Sequence, residues 1–220
     1  MSLTKEVEKD FIFMSLYSYA KRYKKMPFDN RIFWNNKIMF ATNGSVFLWT
    51  ETTEENPYEF SVWEVQGKNF VELKGKDKEK LKNLKLEDKI FSKYNNFDFD
   101  FEFEFNWDKS IPLPIKLCSK KQQRDNDRCF FDFVHNDFIV KFSKGNEDEA
   151  IETYGDFFSG MSGDIPEGFG LPFWEILELV KHTKDSVKVK VGSVKSESLG
   201  FSQFCKMSSG KWNIIATSFN

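Results

Sequence analysis

The sequence predicts an α+β fold, mainly antiparallel β, in which two similar halves each carry two helices packed on sheets. Three observations lead there. The run Phe97-Asp98-Phe99-Asp100-Phe101-Glu102-Phe103-Glu104-Phe105 alternates apolar and acidic residues without a break. That period of two puts every Phe on one face of a strand and every carboxylate on the other. Turn signals (Asn35-Asn36, Asn43-Gly44, His135-Asn136-Asp137) separate short runs rich in aromatic and β-branched residues. Helical spacing occurs in only four places, in the order helix, strands, helix, strands, and then the same again.

The elements follow in chain order. Between Val7 and Lys25, residues Phe11, Met14, Leu16, Tyr17, Ala20 and Tyr23 recur at three- and four-residue steps, and Pro27 ends the segment. Strands are expected at Arg31–Trp34, Lys37–Thr42, Ser45–Glu51 and Glu59–Val65, and a weaker helix at Gly67–Lys74. Residues 75–89, with Lys76, Lys78, Lys80, Lys82, Lys85 and Lys89, suit an exposed loop or short helix. After the alternating strand comes a third helix at Pro114–Arg124, then strands at Arg128–His135, Phe138–Ser143 and Ala150–Phe158. The fourth helix, Leu171–Thr183, has Pro172 in its first turn and a stripe of Phe173, Ile176, Leu177 and Val180. Lys181 and Lys184 sit at its C-terminal end, where positive charge suits the helix dipole. Strands Ser186–Gly192, Ser198–Lys206 and Lys211–Ser218 close the chain.

The stretch Asn106 to Pro114 carries Pro112 and Pro114 and reads as a linker, giving expected domains 1–109 and 110–220. Charge is shared evenly: residues 1–110 hold 18 Lys/Arg and 19 Asp/Glu, and residues 111–220 hold 14 and 15. Helix centres lie roughly 50–60 residues apart within each half, as a repeated unit requires.

Composition excludes several classes. The chain is 40% hydrophobic with a net charge of −2, so it is neither a disordered polar chain nor a strongly basic coat. The 26 Phe, 28 Lys and 15 Asn all use A/T-rich codons, which explains the Phe excess without special aromatic chemistry. No window has the roughly 18–20 consecutive apolar residues of a membrane helix, and the N-terminus has no apolar signal core. Cys118, Cys129 and Cys205 form no CxxC, which favours a reducing compartment; Asn43-Gly44-Ser45 is then only a turn.

Chemistry leaves little trace. There is no phosphate loop, HExxH, nucleophile elbow or dinucleotide fingerprint. His182 at a helix end suits a dipole partner, the cysteines suit buried fillers, and Glu147-Asp148-Glu149 suits a solvated face rather than a metal site. The expectation is therefore a protein without catalytic residue, metal or cofactor. What stands out is basic residues on helices: Lys21-Arg22-Tyr23-Lys24-Lys25 ends the first, Lys68 and Lys74 bracket the second, Lys116, Lys120, Lys121 and Arg124 lie on the third, and Lys181 and Lys184 end the fourth. Together they suggest a positive surface for phosphate backbones.

These residues resemble the DNA sliding clamps. Cys129-Phe130-Phe131-Asp132-Phe133 to Lys141-Phe142, the acidic Glu147 to Tyr154 and the helix-opening Phe169 to Leu177 are similar to the last domain of the bacterial clamp. So is the tail from Ser186-Val187-Lys188-Val189 to Trp212-Asn213-Ile214-Ile215-Ala216-Thr217. Phe40-Ala41-Thr42-Asn43-Gly44 resembles a clamp-domain turn, and Ser110-Ile111-Pro112-Leu113-Pro114 resembles the interdomain connector of the T-even phage clamp. The resemblance implies a non-catalytic ring that encircles duplex DNA and works with a DNA polymerase and a clamp loader. Two domains per chain imply a homotrimer, since six domains complete such a ring. It implies that Lys21, Arg22, Lys24, Lys25, Lys120, Lys121, Arg124, Lys181 and Lys184 line the channel, and that Ile111, Leu113 and Ile215 meet the polymerase peptide. A β-rich binder of apolar ligands and a clamp fold used only for protein contacts stay open as alternatives.

Overall fold

Thr4 starts the first helix of the computed structural model: its backbone is extended, and its Oγ1 accepts from the N–H of Val7 at 3.3 Å, capping α1 (Lys5–Ser18). The structure describes residues 3–19, 26–52, 56, 59–89, 99–106, 129–134, 137–144, 147–153, 158–164, 173–196 and 200–217. The chain divides into two compact units, Met1–Asn96 with Lys211–Asn213, and Phe97–Gly210 with Ile214–Asn220.

In the first unit α1 is followed by β1 (Arg31–Asn35), β2 (Ile38–Thr42), β3 (Val46–Glu51), β4 (Phe60–Gln66), β5 (Asn69–Glu72) and α2 (Lys76–Lys82). The strands pair antiparallel in the order β3-β2-β1-β4-β5. Both expected hairpin turns are present. Asn36 takes the left-handed φ of 49° that a tight turn needs, and the Asn43 side chain accepts from the N–H groups of Ser45 and Val46 ahead of Gly44 at φ 91°.

Two expectations for this unit are corrected. The first helix stops at Ser18 instead of reaching Lys25, and Tyr19 is extended. Ser15 and Ser18 turn their hydroxyls back onto the carbonyls of Ile12 and Ser15, at 2.7 and 3.0 Å, a habit that weakens a helix interior. The carbonyl of Ser18 is then taken by the N–H of Asn30 at 2.9 Å. Gly67–Lys74 is not a helix. Gly67, at φ 64°, and Lys68 form a two-residue turn, and β5 pairs with β4 from Gln66↔Asn69 to Trp63↔Glu72. Pairing with a strand already in place outweighs a short, weakly periodic helical pattern.

The sheet of this unit is buried on both faces. On one, α1 crosses β1, β2 and β3, and Phe11 meets Trp34, Trp63 and Phe70 edge to face at centroid distances of 6.4, 5.6 and 5.4 Å. On the other, Phe33 stacks on Phe40 at 4.8 Å, Phe40 meets Phe47, and Phe47 meets Trp49, while α2 packs on β4 through the buried Leu81. Lys211–Asn213 fold with this unit. The Lys211 ammonium reaches the buried Asp10 carboxylate on α1 at 2.6 Å, Thr50 donates to the Lys211 carbonyl at 3.1 Å, and Trp212 packs on Phe13.

The second unit contains β6 (Phe101–Phe105), β7 (Cys129–Val134), β8 (Asp137–Lys144), β9 (Glu147–Thr153), β10 (Phe158–Gly163), α3 (Phe173–Thr183), β11 (Val187–Ser196), β12 (Gly200–Ser209) and β13 (Trp212–Thr217, from Ile214 onward in this unit). One sheet has the order β10-β6-β11-β12-β13, and β7, β8 and β9 form a second, three-stranded sheet. The alternating run forms its strand from Phe101. Phe101, Phe103 and Phe105 are buried opposite Val191, Val189 and Val187, while Glu102 and Glu104 stand opposite Lys190 and Lys188 on the other face. Lys190 bridges Glu102 at 2.9 Å. That ammonium, through a hydrogen bond and its charge, holds the Glu102 carboxyl below the usual range.

Ala150–Phe158 is not one strand. β9 ends at Thr153 in the three-stranded sheet, and Phe158 begins β10 against β6. Glu147-Asp148-Glu149 is likewise part of a paired strand, facing Lys144, Ser143 and Phe142 in register. Gly163, at φ 90°, closes β10 so near to the Asp100 carbonyl that a Cβ there has no room. α3 lies on β11 and β12 with Ile176, Leu177, Leu179 and Val180 buried. Glu175, in its first turn, is buried too; loss of water pushes its carboxyl up to about 7 and, through its charge, raises the buried Cys205 thiol further. Pro114–Arg124, residues 97–98 and His135-Asn136 lie outside the described residues.

Two outcomes are expected. Phe11→Ala, which empties the aromatic seat of α1, lowers unfolding free energy by about 3–5 kcal/mol in urea denaturation. Glu175 is protonated in the folded protein between its ordinary 4.5 and about 7, where the unfolded chain has released that proton. Stability therefore falls as pH rises through that window, by on the order of 3 kcal/mol in total. Glu175→Gln is expected to stabilise the protein at pH 8 and to change little at pH 4, read from paired urea melts.

Candidate nucleic-acid and partner surfaces

Of the nine basic residues expected to line a channel, the two that lie among the described residues, Lys181 and Lys184, sit at the C-terminal end of α3. Lys181 and His182 are exposed in its last turn, and Lys184 follows at once. The helix stops there for local reasons. Thr183 donates to the Leu179 carbonyl at 3.0 Å and meets the Ser209 hydroxyl at 2.8 Å. The N–H of Lys184 bonds the Val180 carbonyl at 2.8 Å while its own φ is 60°, the left-handed conformation that ends many helices. Lys181 is half exposed and pairs with Glu178 one turn back, so part of its charge is already answered. A phosphate approaching this end meets two ammonium groups and the exposed imidazole of His182, next to carbonyls of negative partial charge.

The structure thus brings Lys181 and Lys184 to one helix end. Lys21, Arg22, Lys24, Lys25, Lys120, Lys121 and Arg124, together with Ile111 and Leu113, lie outside the described residues. Ile215 is in β13 and only 4% exposed, so as placed it is a packing residue. The two-residue turn at Gly210–Lys211 sets Ile215 on the same face as Phe204, which is also buried, and away from Cys205 and Met207 under α3. Phe204 is a buried residue that the sequence expectations did not single out. Its signal in the sequence is a lone aromatic at the polar-face parity of a strand that continues as Lys206 and Ser208.

Other basic residues change place. Lys68 sits in a hairpin turn and Lys74 in the connection after β5, so neither is on a helix. The run of alternate lysines does form one: α2 exposes Lys76, Lys80 and Lys82, with Lys78 at 3.8 Å from Glu72. α1 presents Lys5 and Lys9 on its exposed side, but that side continues as Ile12 and Leu16. The outer face of β6 and β11 is not a one-sign acidic surface, because Lys188 and Lys190 stand opposite Glu104 and Glu102. Among the described residues no group of three or more His, Cys, Asp or Glu is placed to hold a metal, and no helix is long and apolar enough to cross a membrane.

Comparison with known proteins places the fold. No family model and no curated protein sequence matches the chain. Solved structures do. The DNA polymerase III beta subunit of Borrelia burgdorferi superposes with a TM-score of 0.59 over 99% of this chain at 7% identity. The beta sliding clamp of C. crescentus does so at 0.56 over 99%, also at 7% identity. The chain spans 62% and 64% of the lengths of those two bacterial chains. The proliferating cellular nuclear antigen of Entamoeba histolytica superposes at 0.51 over 97% of this chain and 95% of its own, at 8% identity. The architecture is the sliding-clamp fold.

Lys184 separates backbone from charge. Because glycine adopts φ 60° without a steric penalty, Lys184→Gly is expected to raise stability by about 0.5–1 kcal/mol, whereas Lys184→Val, whose branched Cβ resists that conformation, lowers it by at least as much. Thermal melts of the two variants check this.

Proposed function

We propose that this chain, which has the sliding-clamp fold, is a ring-forming DNA clamp that tethers a replicative polymerase to duplex DNA without doing chemistry itself. The observation that carries the proposal is that the likeness extends over almost the whole chain and over 95% of the Entamoeba protein, not over one sheet. With one clamp-like repeat in each half, expected from the sequence at 1–109 and 110–220 and divided in the structure after Asn96, three chains supply six repeats and close a ring as a homotrimer, with a loader to open it. A ring holds DNA by topology, so its channel needs only weak, sequence-independent attraction to phosphate. Lys181 and Lys184 supply that attraction at one helix end; Lys21, Arg22, Lys24, Lys25, Lys120, Lys121 and Arg124 are assigned the same role. Ile111, Leu113 and Ile215 are assigned to the polymerase peptide, with Phe204 beside Ile215. The near-neutral net charge of −2 is compatible with this role, because basic helix ends can coexist with paired charges on the sheet.

One observation favours a second role, a clamp fold used for protein contacts without encircling DNA. The exposed row of α1 is apolar at Ile12 and Leu16, spaced i, i+4, where a phosphate-facing helix would carry lysine, and the exposed Tyr19 follows just beyond the helix end.

The two roles separate in solution. For the clamp, chain mass at micromolar concentration is expected at three times the monomer, and the protein with its loader is expected to lengthen the products of a single polymerase binding event. Lys181→Glu with Lys184→Glu should weaken retention on duplex DNA several-fold at low salt and reduce its salt dependence by about one to two released counterions. A strict monomer that leaves polymerase products unchanged, with DNA retention insensitive to both reversals, would sink the clamp assignment.

A further inference from the structure

The face of the first-unit sheet that α2 covers holds a cleft of two joined lobes. The smaller, about 200 Å³, is floored by Phe33, Phe40 and Phe60 and walled by Leu81 and Leu86. The larger, about 420 Å³, is lined by Asn35, Asn36, Asn56 and Glu59. Asn35 and Glu87 belong to both lobes and form the neck between them.

Among the described residues no cation pairs with the carboxylate at the neck. Glu87 is half-buried, and its one hydrogen bond comes from the neutral amide of Asn35, at 2.6 Å. Burial, and to a smaller extent the like charge of Asp88, raise its carboxyl above the usual range in spite of the Asn35 hydrogen bond. Lys82 and Lys85 line the smaller lobe but are exposed, and neither pairs with Glu87.

The larger lobe is built before any ligand arrives. Asn36 and Glu59, both left-handed at φ 49° and 60°, are bound to each other through the Asn36 N–H and the Glu59 carbonyl at 2.8 Å. The Asn36 carbonyl accepts from the Trp34 indole at 2.8 Å and from the Asn56 N–H at 3.0 Å. Non-glycine residues hold such conformations only where their surroundings impose them. The exposed Asn36 amide, beside Asn35 on the rim, offers both a donor and an acceptor, which is what a peptide main chain presents in return.

We propose that the cleft at Asn35 and Glu87 is a docking site for a short peptide of a partner protein, in which an aromatic or aliphatic side chain enters the Phe/Leu lobe and an adjacent lysine or arginine meets Glu87. The charge at the neck selects the basic residue, the apolar lobe selects its neighbour, and the amide rim accommodates the main chain. The site uses only first-unit residues and does not depend on ring formation or DNA binding.

The test uses the full chain and a fluorescein-labelled pentapeptide GRLFG, with GELFG as the charge-reversed control and free phenethylamine as a small cation with an aromatic body. Anisotropy is expected to show GRLFG binding about tenfold or more tighter than GELFG. Glu87→Gln should remove that preference without shifting the urea midpoint. Hydrogen exchange on the unmodified protein, which does not depend on any variant folding, is expected to show GRLFG protecting residues 35–38 and 81–88. Equal binding of the two peptides, or an unchanged preference in Glu87→Gln, overturns the assignment. Protection by phenethylamine but not by GRLFG overturns the peptide in favour of a small organic cation. Absence of any binding or protection at about 1 mM peptide overturns the site altogether.

Discussion

The pleat of the β-strand is the constraint on which the rest of this structure depends. Because successive side chains leave a strand on opposite faces, each strand must either find cover on both sides or spend alternate positions on charge. The two units solve this differently. In the second, β6 and the paired stretch Val187–Val191 of β11 alternate: Phe and Val are buried, and Glu and Lys pair across the outer face. In the first, β1, β2 and β3 are buried almost continuously, with α1 packed on one face and their own row of Phe33, Phe40, Phe47 and Trp49 buried on the other. The large number of Phe is put to use in both, as the inward side of an alternating strand and as stacked rows between layers.

That difference locates the features of interest. A sheet with one charged face ends its covering helix in solvent, and the C-terminal end of α3 is where Lys181, His182 and Lys184 collect. A sheet covered on both faces leaves a cleft wherever the second layer is short. α2 is only seven residues long, and beside it the aromatic floor opens toward Asn35 and Glu87. The buried Glu175 belongs to the same logic. A carboxyl in the first turn of α3 is favourably placed for the helix dipole, yet the packing that seats α3 on β11 and β12 strips it of water, and desolvation is the larger effect.

Much of the secondary structure was legible because it follows from local patterns. Most strands of the first unit and the closing strands of the second were visible as short apolar runs between turn residues. The turn at Asn43-Gly44 was visible because Asn side chains and glycine backbones solve tight turns in ways few residues can. The failures share a cause. Gly67–Lys74 and the first helix beyond Ser18 were decided by groups distant in sequence, β4 offering a ladder to β5 and Asn30 capturing the Ser18 carbonyl. The single strand expected over Ala150–Phe158 became two because its ends pair with different partners, β8 and β6. For the candidate site, charge at the end of α3 was legible, but the burial of Ile215, the company of Phe204 and the Asn35–Glu87 neck were not.

The sequence alone determined the class of fold, the face of the 101–105 strand that would be buried, and the absence of a recognisable catalytic motif, since these follow from periodicity and residue chemistry within a few residues of each other. Tertiary structure alone decided which strands pair, where helices stop, that the outer face of β6 and β11 is charge-paired rather than acidic, and that Glu87 stands half-buried against the amide of Asn35. Those outcomes depend on groups that meet only after long loops have closed, and no local pattern encodes who the partner will be.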